Sequence, residues 1–249
     1  MKIRVFSLFP EMFDGALSAS LLGKAQDKGI LSLEVINFRE FALDKHRHVD
    51  DTPYGGGQGM VLMPQPLIAA MEANAPMSDN SEIILLSPQG KTFTQADAVR
   101  LADRDELSFV CGHYEGFDER IRHFVDSEYS IGDYVLTGGE LPAMVMIDTI
   151  ARLIPGVIKE RASYEEDSFF QGLLEYPQYT KPRAFRDMEV PEVLLSGHHA
   201  NIRRWQKKEA LRRTWLRRPD LLEDYSLSDE EKKLLLEAQA EEEACHQDG

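Results

Sequence analysis

The side chains best suited to proton transfer or charge stabilisation in this sequence are Glu115, Glu140, Arg152 and Asp167, with Ser168 beside the last. A carboxylate next to a bound ligand can serve as a general base, an effect worth about 10²–10⁴ in rate. An arginine can neutralise an oxygen that gains negative charge in the transition state. Local sequence leaves each with a second reading. Glu140 and Arg152 could form a structural ion pair near a helix start, and Asp167 lies in "YEEDSFF", which reads equally well as a solvated acidic linker. The histidines give no metal signature: His113, His123, His198 and His199 lack H-x-x-x-H spacing, and His46 and His48 are an i, i+2 pair in "DKHRHVDD". No metal site is expected from that pattern. Cys111 sits in an apolar run and Cys245 in an acidic tail, which suggests neither a disulfide framework nor a cysteine zinc site and fits a reducing cytoplasm.

Both Glu115 and Glu140 follow short apolar runs. "IILLSPQG" (83–90), "LSFVCGHYEG" (107–116) and "YVLTGGE" (134–140) each read as a buried strand ending in a polar or glycine loop. In open α/β sheets, ligands bind beyond the carboxyl ends of the strands, so three such loops predict one shared pocket. Gly138 and Gly139 would let the backbone turn sharply and approach a ligand, because glycine lacks a Cβ and tolerates positive φ. Tyr114, between Gly112 and Gly116, could flank an aromatic ligand or simply pack.

Other elements complete the pattern. "KIRVFSLF" reads as a first strand stopped by Pro10, residues 11–28 as a helix, "LSLEVINF" as a second strand, and "TQADAVRLADRD" as a helix with Thr94 as N-cap. Strands alternating with helices predict an α/β fold with a parallel sheet covered on both faces. The Gly-rich stretch "DDTPYGGGQGMVLMPQP" (50–66) lacks the Lys-Ser/Thr pair of a P-loop, and no G-x-G-x-x-G opens a helix after the first strand. It is either a loop over a site or a plain flexible turn.

A chain of 249 residues with 43% hydrophobic content can build one large domain, or a large and a small one. No run approaches the roughly 20 apolar residues of a membrane helix, and "MKIRVFSLFPEMF" lacks a small-residue cleavage site, so no membrane span and no signal segment are expected. The net charge of −15 argues against a nucleic-acid partner when taken alone. Its distribution argues otherwise: "NIRRWQKKEALRRTWLRR" (201–218) holds eight basic residues against one acid, Glu209. On a helix, Ile202, Trp205 and Leu216 fall roughly on one side, with Arg203, Lys207 and Arg217 roughly opposite. Trp205 and Trp215 could stack on bases or belong to a core. Ser228-x-x-Glu231 is a capping-box pattern that predicts a last helix, and the tail "EEEACHQDG" is expected to fray. Residues alone thus indicate an α/β protein with a ligand pocket and a basic C-terminal module.

An ordered set of motifs carries the reading further. "SPQG" (87–90), "CGHYEGFDERI" (111–121), "IGDYVLTGGELPAM" (131–144), "IPGV" (154–157), "EDSF" (166–169), "GHHANIRRW" and "RTWLRRPDLL" together resemble the bacterial tRNA (guanine-N1)-methyltransferases over nearly the whole chain. His113 and Leu85 stand where many members of that family carry Arg and Tyr. The resemblance implies an S-adenosylmethionine-dependent enzyme of the SPOUT class: residues 1–160 as a parallel-sheet cofactor domain with a deep trefoil knot, 161–170 as a flexible linker, and 171–249 as a small, mainly helical tRNA-binding domain. It implies cofactor contacts from Leu86, Ser87 and Pro88 in the first loop and from Gly112, Tyr114 and Glu115 in the second. The third loop would add Ile131, Gly132, Asp133, Tyr134, Val135, Leu136, Gly138 and Gly139.

By the same resemblance, Asp167 would take the proton from N1 of guanosine 37 of tRNA and Arg152 would steady the charge that builds on O6. RNA contacts would come from Ser168, His198, Arg203, Arg204, Lys207 and Arg212. An obligate homodimer is implied, with Asp167 supplied across its interface by a linker that orders when tRNA binds. A magnesium requirement is suggested, and the location would be cytoplasmic.

Overall fold

Five segments pair into one parallel sheet in the computed structural model, which describes residues 1–160 and 162–247, the side chains of 162, 163 and 245–247 excepted. The strands are β1 (Lys2–Ser7), β2 (Ser32–Asn37), β5 (Ser81–Thr92), β6 (Glu106–Cys111) and β7 (Ser127–Ser130), in the order β2-β1-β6-β5-β7. Two-residue strands β3 (Asp50–Asp51) and β4 (Val61–Leu62) form a separate antiparallel hairpin that brackets the Gly-rich loop. Central strands of a parallel sheet are covered on both faces and read as continuous apolar runs. Accordingly Ile3, Val5, Phe6, Ile84, Leu85, Leu107, Phe109 and Val110 are all buried. Edge strand β2 is more exposed along one face.

Helices α1 (Ser20–Asp27), α2 (Pro64–Ala73), α3 (Gln95–Ala102) and α4 (Glu140–Ala151) complete the first of two units, which runs from Met1 to Lys159. Leu67, Ala70 and Met71 of α2 pack with Phe6, Leu85 and Val110 of the sheet in the main apolar cluster. The Thr94 cap is present as a reciprocal capping box: its hydroxyl accepts from the Asp97 N–H, and the Asp97 carboxylate accepts from the Thr94 N–H. Two sequence expectations need correction. Residues 11–28 are not one helix: Pro10–Phe13 makes a single 3₁₀ turn, and a left-handed φ of 54° at Ser20, incompatible with a continuous right-handed helix, delays α1. Nor is Tyr134–Leu136 a buried strand. The strand is Ser127–Ser130, and Tyr134, Val135 and Leu136 are 55%, 83% and 37% exposed in the loop that follows.

The second unit starts at Glu160. It holds the single turn α5 (Ala162–Glu165), a hairpin of β8 (Ala184–Phe185) and β9 (Met188–Glu189), the short α6 (Glu192–Leu195) and α8 (Asp220–Glu223), and two long helices, α7 (His199–Arg217) and α9 (Asp229–Gln247). Leu173, Leu211 and Leu234 form its small core, with Tyr225 and Leu227 packed against them. The apolar side of α7 is therefore Ala210, Leu211 and Thr214; Leu216, expected there, is 49% exposed. Ser228 and Glu231 form the expected box, with the Ser228 N–H on the Glu231 carboxylate at 2.9 Å and the Glu231 N–H on the Ser228 hydroxyl at 3.2 Å. Helix α9 continues through the stretch expected to fray and reaches Gln247; Asp248 and Gly249, like Arg161 and the Cys245 side chain, lie outside the described residues. Among the described residues no helix is long and apolar enough to cross a membrane.

Candidate functional site

Strands β6, β5 and β7 are neighbours in the sheet, so the chain that leaves their carboxyl ends converges on one edge of it. There the three loops enclose a cavity of about 360 Å³. That volume falls within the range of small-molecule sites. Leu86, Ser87 and Pro88 line it from a bulge in β5 between Leu86 and Lys91. Gly112, Tyr114 and Glu115 line it from the loop after β6, and Ile131, Gly132, Tyr134, Val135, Leu136, Gly138 and Gly139 from the loop after β7. Of the fourteen positions implied for cofactor contact, Asp133 alone is outside the lining, on an exposed turn.

The two glycines of "TGGE" have a steric rather than a conformational reason. Positive φ occurs at Gly132 (148°) and not at Gly138 or Gly139. A Cβ on Gly139 would stand 2.7 Å from the Cα of Cys111 and 2.9 Å from the Gly112 nitrogen, and its N–H donates to the Gly112 carbonyl at 2.9 Å. Helix α4 thus begins in backbone contact with the end of β6. A Cβ on Gly138 would fall 2.7 Å from Cδ2 of His113 and against the Glu140 carboxylate.

Glu140 itself is 2% exposed and accepts a 2.7 Å hydrogen bond from the Ser7 hydroxyl, which in turn accepts from the Phe9 N–H. This ties β1 to the start of α4 and uses the favourable position of an anion at a helix N-terminus. The alternative of a Glu140–Arg152 ion pair near a helix start is excluded, since the twelve residues of α4 separate them by about 18 Å.

Several lining residues had no signal in the sequence. Arg122 bonds Glu128 twice, at 3.0 and 2.9 Å, reaches Oε1 of Gln89 at 3.1 Å and also pairs with Glu119, which holds the first loop in place. That guanidinium keeps the Glu128 carboxyl below its ordinary range. Tyr129, buried in β7, donates its hydroxyl to Asp97 at 3.1 Å and accepts from Arg100 at 3.0 Å. Burial works to raise the Asp97 carboxyl, but hydrogen bonds from Lys91, Thr94 and Tyr129 bring it below the ordinary value. Burial also pushes the Cys111 thiol well up. With Arg122 committed to Glu119 and Glu128, and with Glu115 at the rim, the lining carries an excess of carboxylate that suits a cationic ligand. His113, packed against Phe9 at 4.8 Å and Tyr114 at 5.3 Å, lines the cavity as a ring in an aromatic row.

Arg152 caps the far end of α4 and does not line this cavity. Asp167 is in the second unit, beside a separate cavity of about 210 Å³ whose walls include Glu166, Glu175, Tyr176, Arg203 and Lys207. Ser168 accepts from the Glu175 N–H at 3.0 Å, and His198 is the N-cap residue of α7, without a side-chain capping bond. Arg204, Lys207 and Arg212 are ion-paired within the unit, to Glu237, Glu231 and Glu241. Among the described residues no group of three His, Cys, Asp or Glu side chains could hold a metal ion.

Comparison with known proteins gives a consistent result. The family described as tRNA (Guanine-1)-methyltransferase TrmD matches residues 1–224. A tRNA (guanine-N(1)-)-methyltransferase of Brevibacillus brevis is 58% identical over 242 residues, covering 97% of this chain and 99% of the relative. Proteins of the same name from Geobacillus kaustophilus (56% over 244 residues, 98% of this chain and 100% of the relative) and Staphylococcus epidermidis (55% over 236 residues, 94% and 96%) are similarly close.

Proposed function

The chain belongs to the tRNA (guanine-1)-methyltransferase family, and from that premise we propose that it transfers a methyl group from S-adenosylmethionine to N1 of guanosine 37 in tRNA. The observation that carries the reading is the three-loop cavity at the carboxyl edge of the sheet, with an acidic lining and a backbone contact between Gly139 and Gly112. The family further implies the SPOUT arrangement, with the chain knotted through these loops, and a cytoplasmic enzyme. When bound, S-adenosylmethionine supplies a methyl group already activated by a sulfonium.

The protein's own task is then deprotonation and alignment. Guanine N1 carries a proton at neutral pH and is a poor nucleophile until that proton leaves. In the proposed roles Asp167 accepts it, and the Arg152 guanidinium steadies the negative charge that spreads to O6. The three-loop cavity would hold S-adenosylmethionine, which would supply the methyl group to N1, and the N1 proton ends on the Asp167 carboxylate. The target base in a single-stranded loop can be splayed out and read on its edges.

A homodimer is part of the proposal. Within one unit Arg152 lies a helix length, about 18 Å, beyond the start of α4 at the cavity, so it is better placed to serve a second copy's cavity than its own. Leu141 and Val145 of α4 are 49% and 48% exposed while its other side is buried. Beside Asp148 on the same side, these two side chains offer a second copy an apolar contact. The test is methyl transfer from labelled S-adenosylmethionine to a tRNA transcript with guanosine 37 and to the same transcript with adenosine there. Label recovered as 1-methylguanosine from the first alone supports the proposal; no label in either, with both ligands bound, sinks it.

A further inference from the structure

The basic helix α7 has two unlike flanks. Arg204 bonds Glu237 at 2.7 and 2.8 Å, Lys208 bonds Glu241 at 2.6 Å, and Arg212 bonds Glu241 and lies 3.9 Å from Glu242. All three acids belong to α9. Positions 204, 208 and 212 follow each other at i, i+4 and so form one stripe. At 100° per residue, Arg203, Arg213 and Arg217 lie within an arc of about 80° whose centre is roughly 180° from that stripe. Arg203 and Arg217 are exposed and Arg213 half-buried, and no ion pair engages any of the three among the described residues.

We propose that the phosphate backbone of tRNA is held on the Arg203–Arg213–Arg217 flank, and that the Arg204–Lys208–Arg212 flank is an internal seam between α7 and α9. This rests on the reading of the protein as a tRNA-binding enzyme and narrows where that binding occurs. A phosphate on the seam would have to displace Glu237 and Glu241, leaving their carboxylates unpaired beside a like charge. On the opposite flank the same phosphate gains charge-assisted hydrogen bonds and releases counterions without evicting a partner. An eight-fold basic segment therefore presents far less free positive charge than its composition indicates, because α9 pairs with four of the eight: Arg204, Lys207, Lys208 and Arg212. That restrains sequence-independent attraction to other RNA.

The test compares two triple variants of the full chain, Arg203→Gln/Arg213→Gln/Arg217→Gln and Arg204→Gln/Lys208→Gln/Arg212→Gln. Affinity for a tRNA transcript is measured by anisotropy between 50 and 200 mM salt, and the thermal midpoint by tryptophan fluorescence. Three lost phosphate contacts should lower the slope of log affinity against log salt by about 2 to 3 in the first variant, with its midpoint unchanged. The seam variant should keep the slope and melt earlier. A slope reduced by the seam variant, or untouched by the first, overturns the assignment. Should the seam variant not fold, Glu237→Gln/Glu241→Gln decides: tRNA affinity held or raised agrees with a seam, and affinity lowered refutes it. Parent protein that shows no salt-dependent tRNA binding refutes the tRNA reading itself, and the assignment with it.

Discussion

Replacing Gly139 with alanine tests how the cavity is built. The added Cβ would meet the Cα of Cys111 at 2.7 Å and the Gly112 nitrogen at 2.9 Å, both backbone atoms with no rotamer to escape into. The start of α4 must then move off β6, and the 2.9 Å bond from the Gly139 N–H to the Gly112 carbonyl is lost. Overpacking of this kind costs about 1–3 kcal/mol, and a buried donor left unsatisfied costs about 1–3 kcal/mol more. A total of about 2–6 kcal/mol would be a large share of the stability of an ordinary domain. Gly138→Ala is the internal comparison: its Cβ meets side-chain atoms only, the His113 ring and the Glu140 carboxylate, so a side-chain shift that bends the Ser7–Glu140 bond relieves it and its cost should stay below that of Gly139→Ala. Urea unfolding should be followed by circular dichroism, because both tryptophans, Trp205 and Trp215, lie in the second unit. Calorimetry with S-adenosylmethionine should show binding lost or weakened at least tenfold in Gly139→Ala. Stability within about 0.5 kcal/mol of the parent with unaltered affinity, or a larger loss in Gly138→Ala, would refute the reasoning.

Acid should destabilise the second unit through Glu231. Burial acts to raise its carboxyl, but the Ser228 N–H, the Tyr225 hydroxyl, the Ser228 hydroxyl and Lys207 together bring it down from 4.5 to about 2. A carboxyl lowered on folding contributes stability that is complete above about pH 4.5 and is lost as pH falls toward 2, an effect of at most about 3 kcal/mol. Glu231→Gln should flatten that part of the profile in tryptophan-detected unfolding; an unchanged acid limb would count against it. Cys111, fully buried with its thiol pushed up, should resist alkylation at pH 8 until the protein is unfolded. Peptide mapping distinguishes it from Cys245, and rapid labelling of Cys111 in the native protein would contradict its burial.

Much of this protein is written in short stretches of its sequence. The Thr94 cap and the Ser228–Glu231 box formed as the sequence predicts, the first as a full reciprocal box with Asp97, because a cap is a bargain among four adjacent residues and needs no distant partner. The strands at Ile83–Leu86 and Leu107–Cys111 were legible as apolar runs and the segments after them as the place for a ligand, although β5 does not end in a loop at Leu86 but bulges there and runs on to Thr92. The same local rule failed at Tyr134–Leu136, where apolar character belongs to the wall of a cavity instead of a strand, since composition does not say which backbone will pair.

Tertiary structure alone decided the rest. Ser7 and Glu140 are 133 residues apart, yet they share a buried hydrogen bond that sets the start of α4. Arg204, Lys208 and Arg212 look identical in sequence to Arg203, Arg213 and Arg217, and only the packing of α9 against one side of α7 commits the first three to Glu237 and Glu241. Periodicity and capping depend on residues within a turn or two, which the sequence holds side by side. The partner of a buried carboxylate or of one flank of a helix depends on which elements the topology brings together, and that is set only when the whole chain has folded.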